Sequence, residues 1–338
     1  MSLGVAILGT GVVAEFHRQA IEVNGARLVA VGHYNPDKFS GASAKFGVPC
    51  LTSDDVLEHP EVEAICICTP SGQHAEQTIK AAKAGKHVLV EKPMALSVAD
   101  ADAMIRACNE NNVCLGVVLQ RRAEPLFQSV KAALGAGDLG ELTLAAVTMP
   151  YLRTQTYYDS AAWRGTWVQD GGGVLMNQGI HLLDLLLWWL GDPVSVTAYA
   201  ATLQRDIEVE DTLVATLRFA RGALATFTAT TTAAPGFPHR LELYGSGGGI
   251  QIVGEQIHAW KLAQPETANV KPILPTSLEE PGAGGDPRAI KASGHINVFK
   301  DFIDAIQERR SPTIDGIQGQ RSLKTVLDIY KAAGLGGS

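Results

Sequence analysis

The stretch Val5-Ala-Ile-Leu-Gly9-Thr10-Gly11-Val12-Val13-Ala14 decides how the amino-terminal half folds. Four apolar residues make a short buried strand, a glycine turn follows, and a helical apolar pattern continues from Ala14 to about Val23. In this G-x-G-x-x-A arrangement Gly9 allows the tight turn, Gly11 lets the backbone approach a pyrophosphate, and the small Ala14 lets the helix pack closely on the strand. The start of the helix then presents free N–H groups to the phosphates. As the first strand–turn–helix of the chain, Gly9, Thr10, Gly11, Val12 and Val13 read as a dinucleotide-binding loop.

The strand expected next, residues 27–31, ordinarily ends in a carboxylate that holds the adenosine 2′-hydroxyl of NAD. Here the tip reads Gly32-His33-Tyr34-Asn35-Pro36-Asp37-Lys38, so His33 or Asn35 takes the acidic position. Lys38 stands nearby, a cation that tolerates a 2′-phosphate, and the choice between NAD and NADP stays open. Further on, strands at 64–68, 88–90 and 113–118 alternate with helices at 73–84 and 98–111, the grammar of a parallel doubly wound sheet. Such a sheet sets Thr69-Pro70, Glu91-Lys92-Pro93 and Gln120-Arg121-Arg122 along its carboxyl edge, where open α/β sheets bind ligands. His74, at the start of its helix, is either a cap or a contact on the cofactor side.

Within that edge the run His87-Val-Leu-Val-Glu91-Lys92-Pro93 puts an amine at the end of a buried strand. Lys92 is the first candidate for chemistry, set against the ordinary reading of a solvated lysine.

Past Arg122 the pattern changes. A helix at 124–135 is followed by strand-like runs at 142–148, 194–203, 212–219, 223–232 and 240–244, joined by short turns, which predict a large, mostly antiparallel sheet. One long helix interrupts them, opening in Asp170-Gly-Gly-Gly and stopping at Gly191-Asp192-Pro193. On it Asn177, His181 and Asp184 stand at i, i+4 and i+7, so helical spacing sets all three on one face. Polar groups in so apolar a helix need partners or a site. His181 is therefore a candidate base, with a satisfied core histidine as the alternative.

A chain of 338 residues accommodates two domains, expected at 1–121 for dinucleotide binding and 122–338 for substrate binding and oligomerisation. The formal net charge of −7 argues against a nucleic-acid surface, and no apolar run approaches a bilayer span. Five cysteines without a Cys-x-x-Cys pair give neither a zinc site nor a disulfide framework, which suits the cytoplasm. The open face of the antiparallel sheet needs cover, so a homodimer or homotetramer is expected.

Taken together, GTGVVAEFH at 9–17, CTPSGQHAE at 68–76, HVLVEKPMA at 87–95, WRGTW at 163–167, GGGVLMNQGIHLLDLLLWWLG at 171–191 and the pattern at 293–310 resemble the Gfo/Idh/MocA family of oxidoreductases. The resemblance implies a Rossmann domain and NAD- or NADP-dependent hydride transfer at a hydroxyl or keto group of a sugar, cyclitol or nucleotide sugar. It also implies Lys92 and His181 as catalytic residues, and a cis bond before Pro93. Asn177, Asp184, Arg121, Trp163 and Arg164 become substrate contacts, and Thr69, Pro70, His74, Glu91, Lys92 and Gln120 cofactor contacts beside the glycine loop and the tip at His33, Asn35 and Lys38. Asn177 replaces an aspartate common in the family, and its Asn-Gln-Gly-Ile-His setting is similar to the branch acting on nucleotide-linked amino sugars. An NAD-dependent glycosidase and a non-catalytic regulatory protein share this fold and are the rival readings; retention of both Lys92 and His181 weighs against the regulatory one.

Overall fold

The computed structural model of the protein describes residues 2–271 and 292–335. They divide into two compact units, residues 2–120 with 292–323, and 121–271 with 324–335.

The first unit strings together β1 (Gly4–Leu8), α1 (Val12–Val23), β2 (Arg27–Gly32), α2 (Phe39–Phe46), β3 (Cys50–Leu51) and α3 (Ser53–Glu58). It continues with β4 (Ala64–Ile67), α4 (His74–Lys83), β5 (His87–Val90), α5 (Val98–Glu110) and β6 (Leu115–Val117). The six strands lie in the order β3-β2-β1-β4-β5-β6, and every pair is parallel. The central strands β1 and β4, buried throughout, are uniformly apolar. The strand order reverses between β1 and β4, and there the chain is tight: Cys68 N–H donates to Leu8 O at 2.7 Å. A Cβ on Gly9 (φ 94°) would sit 2.6 Å from Cys68 O, so glycine is required by both conformation and space.

The chain returns to this unit after the second. Helix α9 of that later segment (Ser293–Glu308) meets α1, where Asn24 Nδ2 donates to Ile296 O at 3.0 Å, and residues 314–315 pair with β6 through Val117 N–H to Ile314 O.

The second unit holds α6 (Pro125–Ala136), β7 (Leu142–Pro150), α7 (Gln155–Asp159), a π-helical turn (Val174–Gly179), α8 (Ile180–Leu190), β8 (Pro193–Ala201), β9 (Thr212–Phe219), β10 (Leu224–Thr230) and β11 (Arg240–Gly245). Strands β12 (Gly248–Val253) and β13 (Gln256–Leu262) follow, and helix α10 (Gly316–Ala332) begins in the first unit and ends in this one. Its seven-stranded sheet runs β13-β12-β11-β7-β10-β9-β8, antiparallel except for the parallel pair β7 and β10. Alternation along β7, β9 and β10 buries Val147, Leu217 and Phe227 on one face. The opposite face leaves Leu144, Val214, Leu224 and Tyr199 at 45%, 47%, 53% and 85% exposure.

The helix carrying His181 starts later than its periodicity predicts. Glu210 competes for its first N–H groups: Gly173 and Leu175 donate to the carboxylate at 2.8 and 2.9 Å, and Val174 donates to the backbone carbonyl at 2.9 Å. A Cβ on Gly173 would lie 1.7 Å from Glu210 O. With those donors drawn aside, the chain opens as a π turn and becomes regular only at Ile180.

Phe227 is fully buried in β10. Phe227→Ala should cost about 3–5 kcal/mol, read as a fall in the guanidinium midpoint. A change below about 1 kcal/mol would mean that the inner sheet face is not packed as described.

Candidate functional site

In the first unit, α1 begins with no side chain capping its N–H groups, and the space where Gly11 would carry a Cβ is empty. An uncapped helix start beside an open glycine is a cradle for an anion. Lys45, which the sequence reading passed over, adds a cation there: its Nζ donates to Thr10 O at 3.1 Å and to Gly11 O at 3.4 Å. At the tip of β2, His33 Nδ1 accepts from Asn35 N–H at 3.0 Å while the ring stacks on Tyr34. Asn35 in turn caps the next turn by accepting from Asp37 N–H, and Lys38 is exposed.

The edge at 69–93 is braced by histidines. His74 is buried with Nδ1 2.8 Å from Pro93 O and Nε2 2.9 Å from Thr69 O, and Thr69 Oγ1 bonds Gln77. Two carbonyls suit a doubly protonated ring, but burial outweighs them and holds the imidazole below its ordinary range. The Lys92–Pro93 bond is cis, as the resemblance implies, and Lys92 is half-buried. Glu91 accepts from His17 Nε2 at 2.9 Å, with His295 Nε2 at 3.3 Å from the same oxygen. Neither histidine was singled out from sequence. Gln120, buried, packs on Gly294, and its Oε1 has no partner among the described residues.

In the second unit, Asn177 lies in the π turn, where its Nδ2 donates to Asp170 Oδ1 at 2.9 Å. His181 opens α8 and stays half-buried, but Asp184 turns inward. Its carboxylate, 1% exposed, takes a bidentate grip from Arg122, Nε to Oδ2 at 2.7 Å and Nη2 to Oδ1 at 2.6 Å. The face expected to carry all three therefore divides: Asn177 and His181 remain accessible, while Asp184 is committed to an internal ion pair. The physical reason is Arg122, whose buried guanidinium answers the Asp184 carboxylate inside the unit. Arg164 stacks over Trp163 and Tyr157, both 4.5 Å from its guanidinium, and its Nη1 donates to Tyr157 Oη at 2.8 Å.

Arg121 enters a separate, half-buried cluster. Its Nη1 pairs with Glu255 Oε1 at 2.6 Å, and loss of solvent beside the Glu255 carboxylate pushes the Glu124 carboxyl up to about 8. His239, bonded through Nδ1 to Tyr151 Oη at 2.9 Å, is pushed down to about 3 by burial and by the Arg121 charge.

Two family models match the chain, "Oxidoreductase family, NAD-binding Rossmann fold" over residues 3–119 and "GFO/IDH/MocA C-terminal domain" over residues 127–251. Myo-inositol 2-dehydrogenase of Thermotoga maritima is 29% identical over 332 residues, which cover 94% of this chain and 92% of that protein. Among solved structures, the WlbA dehydrogenase from Bordetella pertussis in complex with NADH and UDP-GlcNAcA aligns with a TM-score of 0.88 at 33% identity, covering 99% of this chain and 97% of that one. The WlbA dehydrogenase from Chromobacterium violaceum, also with NADH and UDP-GlcNAcA, gives 0.85 at 31%, covering 98% and 94%.

The His239 site carries a pH signature. Folded, the imidazole stays neutral down to about 3, whereas in the unfolded chain it takes a proton near 6.5. The unfolded state thus gains protons first, and stability falls as pH drops below about 6.5, by up to about 1.4 kcal/mol per pH unit from this group. His239→Gln removes the titration, so its melting temperature should fall less steeply than the wild type's between pH 6.5 and 5. Equal slopes would refute the assignment.

Proposed function

The chain belongs to the Gfo/Idh/MocA family of oxidoreductases with an NAD-binding Rossmann domain, and from that premise we propose that it moves a hydride between nicotinamide and a secondary hydroxyl or keto group of a nucleotide-linked sugar. The observation that carries this substrate class is the whole-chain likeness to WlbA bound to UDP-GlcNAcA. It is supported by the sequence retaining both Lys92 and His181 and by the Asn177-Gln-Gly-Ile-His181 segment.

The cofactor fits the first unit. The uncapped start of α1 and the open side of Gly11 hold the pyrophosphate, with Lys45 adding positive charge beside the loop. The tip of β2 has no carboxylate for a 2′-hydroxyl, and Lys38 stands exposed near it, so discrimination between NAD and NADP is weak. Bound nicotinamide supplies the hydride acceptor or donor.

A carbinol gives up hydride readily only as its hydroxyl loses a proton. His181 takes that proton from the substrate oxygen, imidazole being the side-chain base suited to that task near neutral pH. The Lys92 ammonium stabilises the negative charge growing on the same oxygen, and Glu91 offsets the lysine charge from behind. Asn177, Trp163 and Arg164 contact the substrate. Arg121 and Asp184, whose charges are already answered by Glu255 and Arg122, support those contacts from inside the unit.

Incubation with UDP-GlcNAcA and either NAD or NADP, followed at 340 nm, tests the reading. His181→Ala should lose about 10²–10⁴-fold in turnover, and Lys92→Met at least as much, with NADH binding by fluorescence retained in both. Near-normal turnover in both variants would sink the catalytic roles, and a preference above about a hundredfold for one dinucleotide would sink the claim about the β2 tip.

We also propose that the exposed face at Leu144, Val214, Leu224 and Tyr199 packs on a second copy of the chain, giving a homodimer or homotetramer in the cytoplasm. No helix among the described residues is long and apolar enough to cross a membrane, and the five unpaired cysteines suit a reducing compartment. Light scattering should report a multiple of the chain mass, and Val214→Asp with Leu224→Asp should reduce it to one copy. A monomeric wild type would overturn this.

A further inference from the structure

Three elements of the first unit converge on one carboxylate: His17 from α1, His295 from α9 and Glu91 at the end of β5. All three residues are buried. Both imidazole Nε2 atoms face the same oxygen, at 2.9 Å and 3.3 Å from Glu91 Oε1. A carboxylate oxygen only accepts, so each ring presents its N–H at Nε2. Both Nδ1 atoms are buried without a hydrogen-bond partner among the described residues.

The three ligand atoms lie within 4.8 Å of one another, a spacing a divalent metal tolerates. Metal-ligating histidines, however, almost always donate the second ring N–H to a carboxylate, carbonyl or water. With Nε2 as the ligand atom, neither Nδ1 has such a partner among the described residues, so the cluster is built as donors on an anion.

Glu91 passes this constraint to its neighbour. Its Oε2 accepts from the Lys92 backbone N–H at 3.3 Å, and its own N–H donates to Ile67 O at 3.0 Å. On the far side of Lys92, the Pro93 carbonyl is held by His74 Nδ1 at 2.8 Å. Lys92 therefore sits between two histidine-held points.

We infer that His17 and His295 are positioning residues: by fixing the Glu91 carboxylate they fix the Lys92 backbone, and with it the place of the lysine amine during hydride transfer. The inference rests on the role of Lys92 proposed above.

Glu91 is faced by His17 of α1 and His295 of α9, and its charge is felt by Cys66 of β4, by Cys68 just beyond it, and by His74 of α4, with Lys92 adjacent in sequence. Burial works to protonate the carboxyl, and the two imidazole donors outweigh it and hold Glu91 well below the usual carboxylate range. Taking one donor away tips that balance toward the protonated form, so activity should be lost at a higher pH on the acid side.

The test uses the full chain carrying His17→Leu, His295→Leu or His17→Gln, the last keeping an N–H within reach. The first arm needs no substrate: trinitrobenzenesulfonate labels Lys92 in the NAD complex, read by peptide mass spectrometry against Lys86, whose amine is held by His59 O and Val62 O. The leucine variants should melt below wild type, because a buried charge loses a donor, and at a temperature where they remain folded should label Lys92 several-fold faster with NADH affinity near wild type. The second arm follows turnover of UDP-GlcNAcA. Here kcat should fall roughly 10- to 100-fold, the cost of a small misplacement of a reacting group, with little change in KM. The acid limb of the pH profile should move upward, and His17→Gln should restore most of both losses. Unchanged Lys92 labelling in both leucine variants overturns the inference, as does a loss that His17→Gln fails to restore, or one metal ion per chain in the purified wild type. If the wild type does not turn over UDP-GlcNAcA, the proposed substrate fails while the labelling arm still decides this point.

Discussion

A carboxylate with 8% of its surface exposed stays charged only if donors replace the water it has lost, and Glu91 is in that position at the end of β5. The donors come from two helices far apart in the chain. One is α1, whose first turn follows the glycine loop, and the other is α9, which arrives after the whole second unit has been built. Satisfying a single anion thus joins the helix that follows the glycine loop, the lysine-bearing strand end and a late segment of chain. Any two of these elements without the third would leave a buried charge short of partners.

The second unit solves a similar problem with a different balance. Glu210 receives N–H groups from Gly173 and Leu175 and the Tyr330 hydroxyl at 2.8 Å, yet burial still pushes its carboxyl up to about 7. The consequence is conformational. Because the first amides of the histidine helix bond outward to Glu210, the helix opens as a π turn, which carries Asn177 and ends just before the regular turn that carries His181. Local departures from regular helix of this kind recur where side chains must be aimed. Here the departure has an identifiable cause in one buried acid and the close approach of Gly173 to its carbonyl.

Much of this was written locally. Alternating βαβ grammar, the glycine loop and the strand ending at Lys92 depend on neighbours in sequence, so the parallel sheet and the carboxyl-edge candidates could be read directly. Alternation in β7, β9 and β10 likewise predicted a sheet with one buried face. Strands β12 and β13 were not found, because Gly245-Ser-Gly-Gly-Gly249 reads as a loop and only pairing with β11 makes the segment beyond it a strand. The parallel pairing of β7 with β10 inside an otherwise antiparallel sheet has no local signature either.

By itself the sequence determined the class of the protein and marked a glycine loop, Lys92 and His181 as candidates, because each of these depends on residue types at short spacing. Tertiary structure alone decided what lies behind them: His17 and His295 on Glu91, Lys45 on the glycine loop, Arg122 on Asp184 and Glu210 on the π turn. Those pairings span from a few dozen to more than two hundred residues of chain. A charge carries no mark of its partner in sequence, and the partner is chosen only when burial removes water and leaves the nearest donor to answer it.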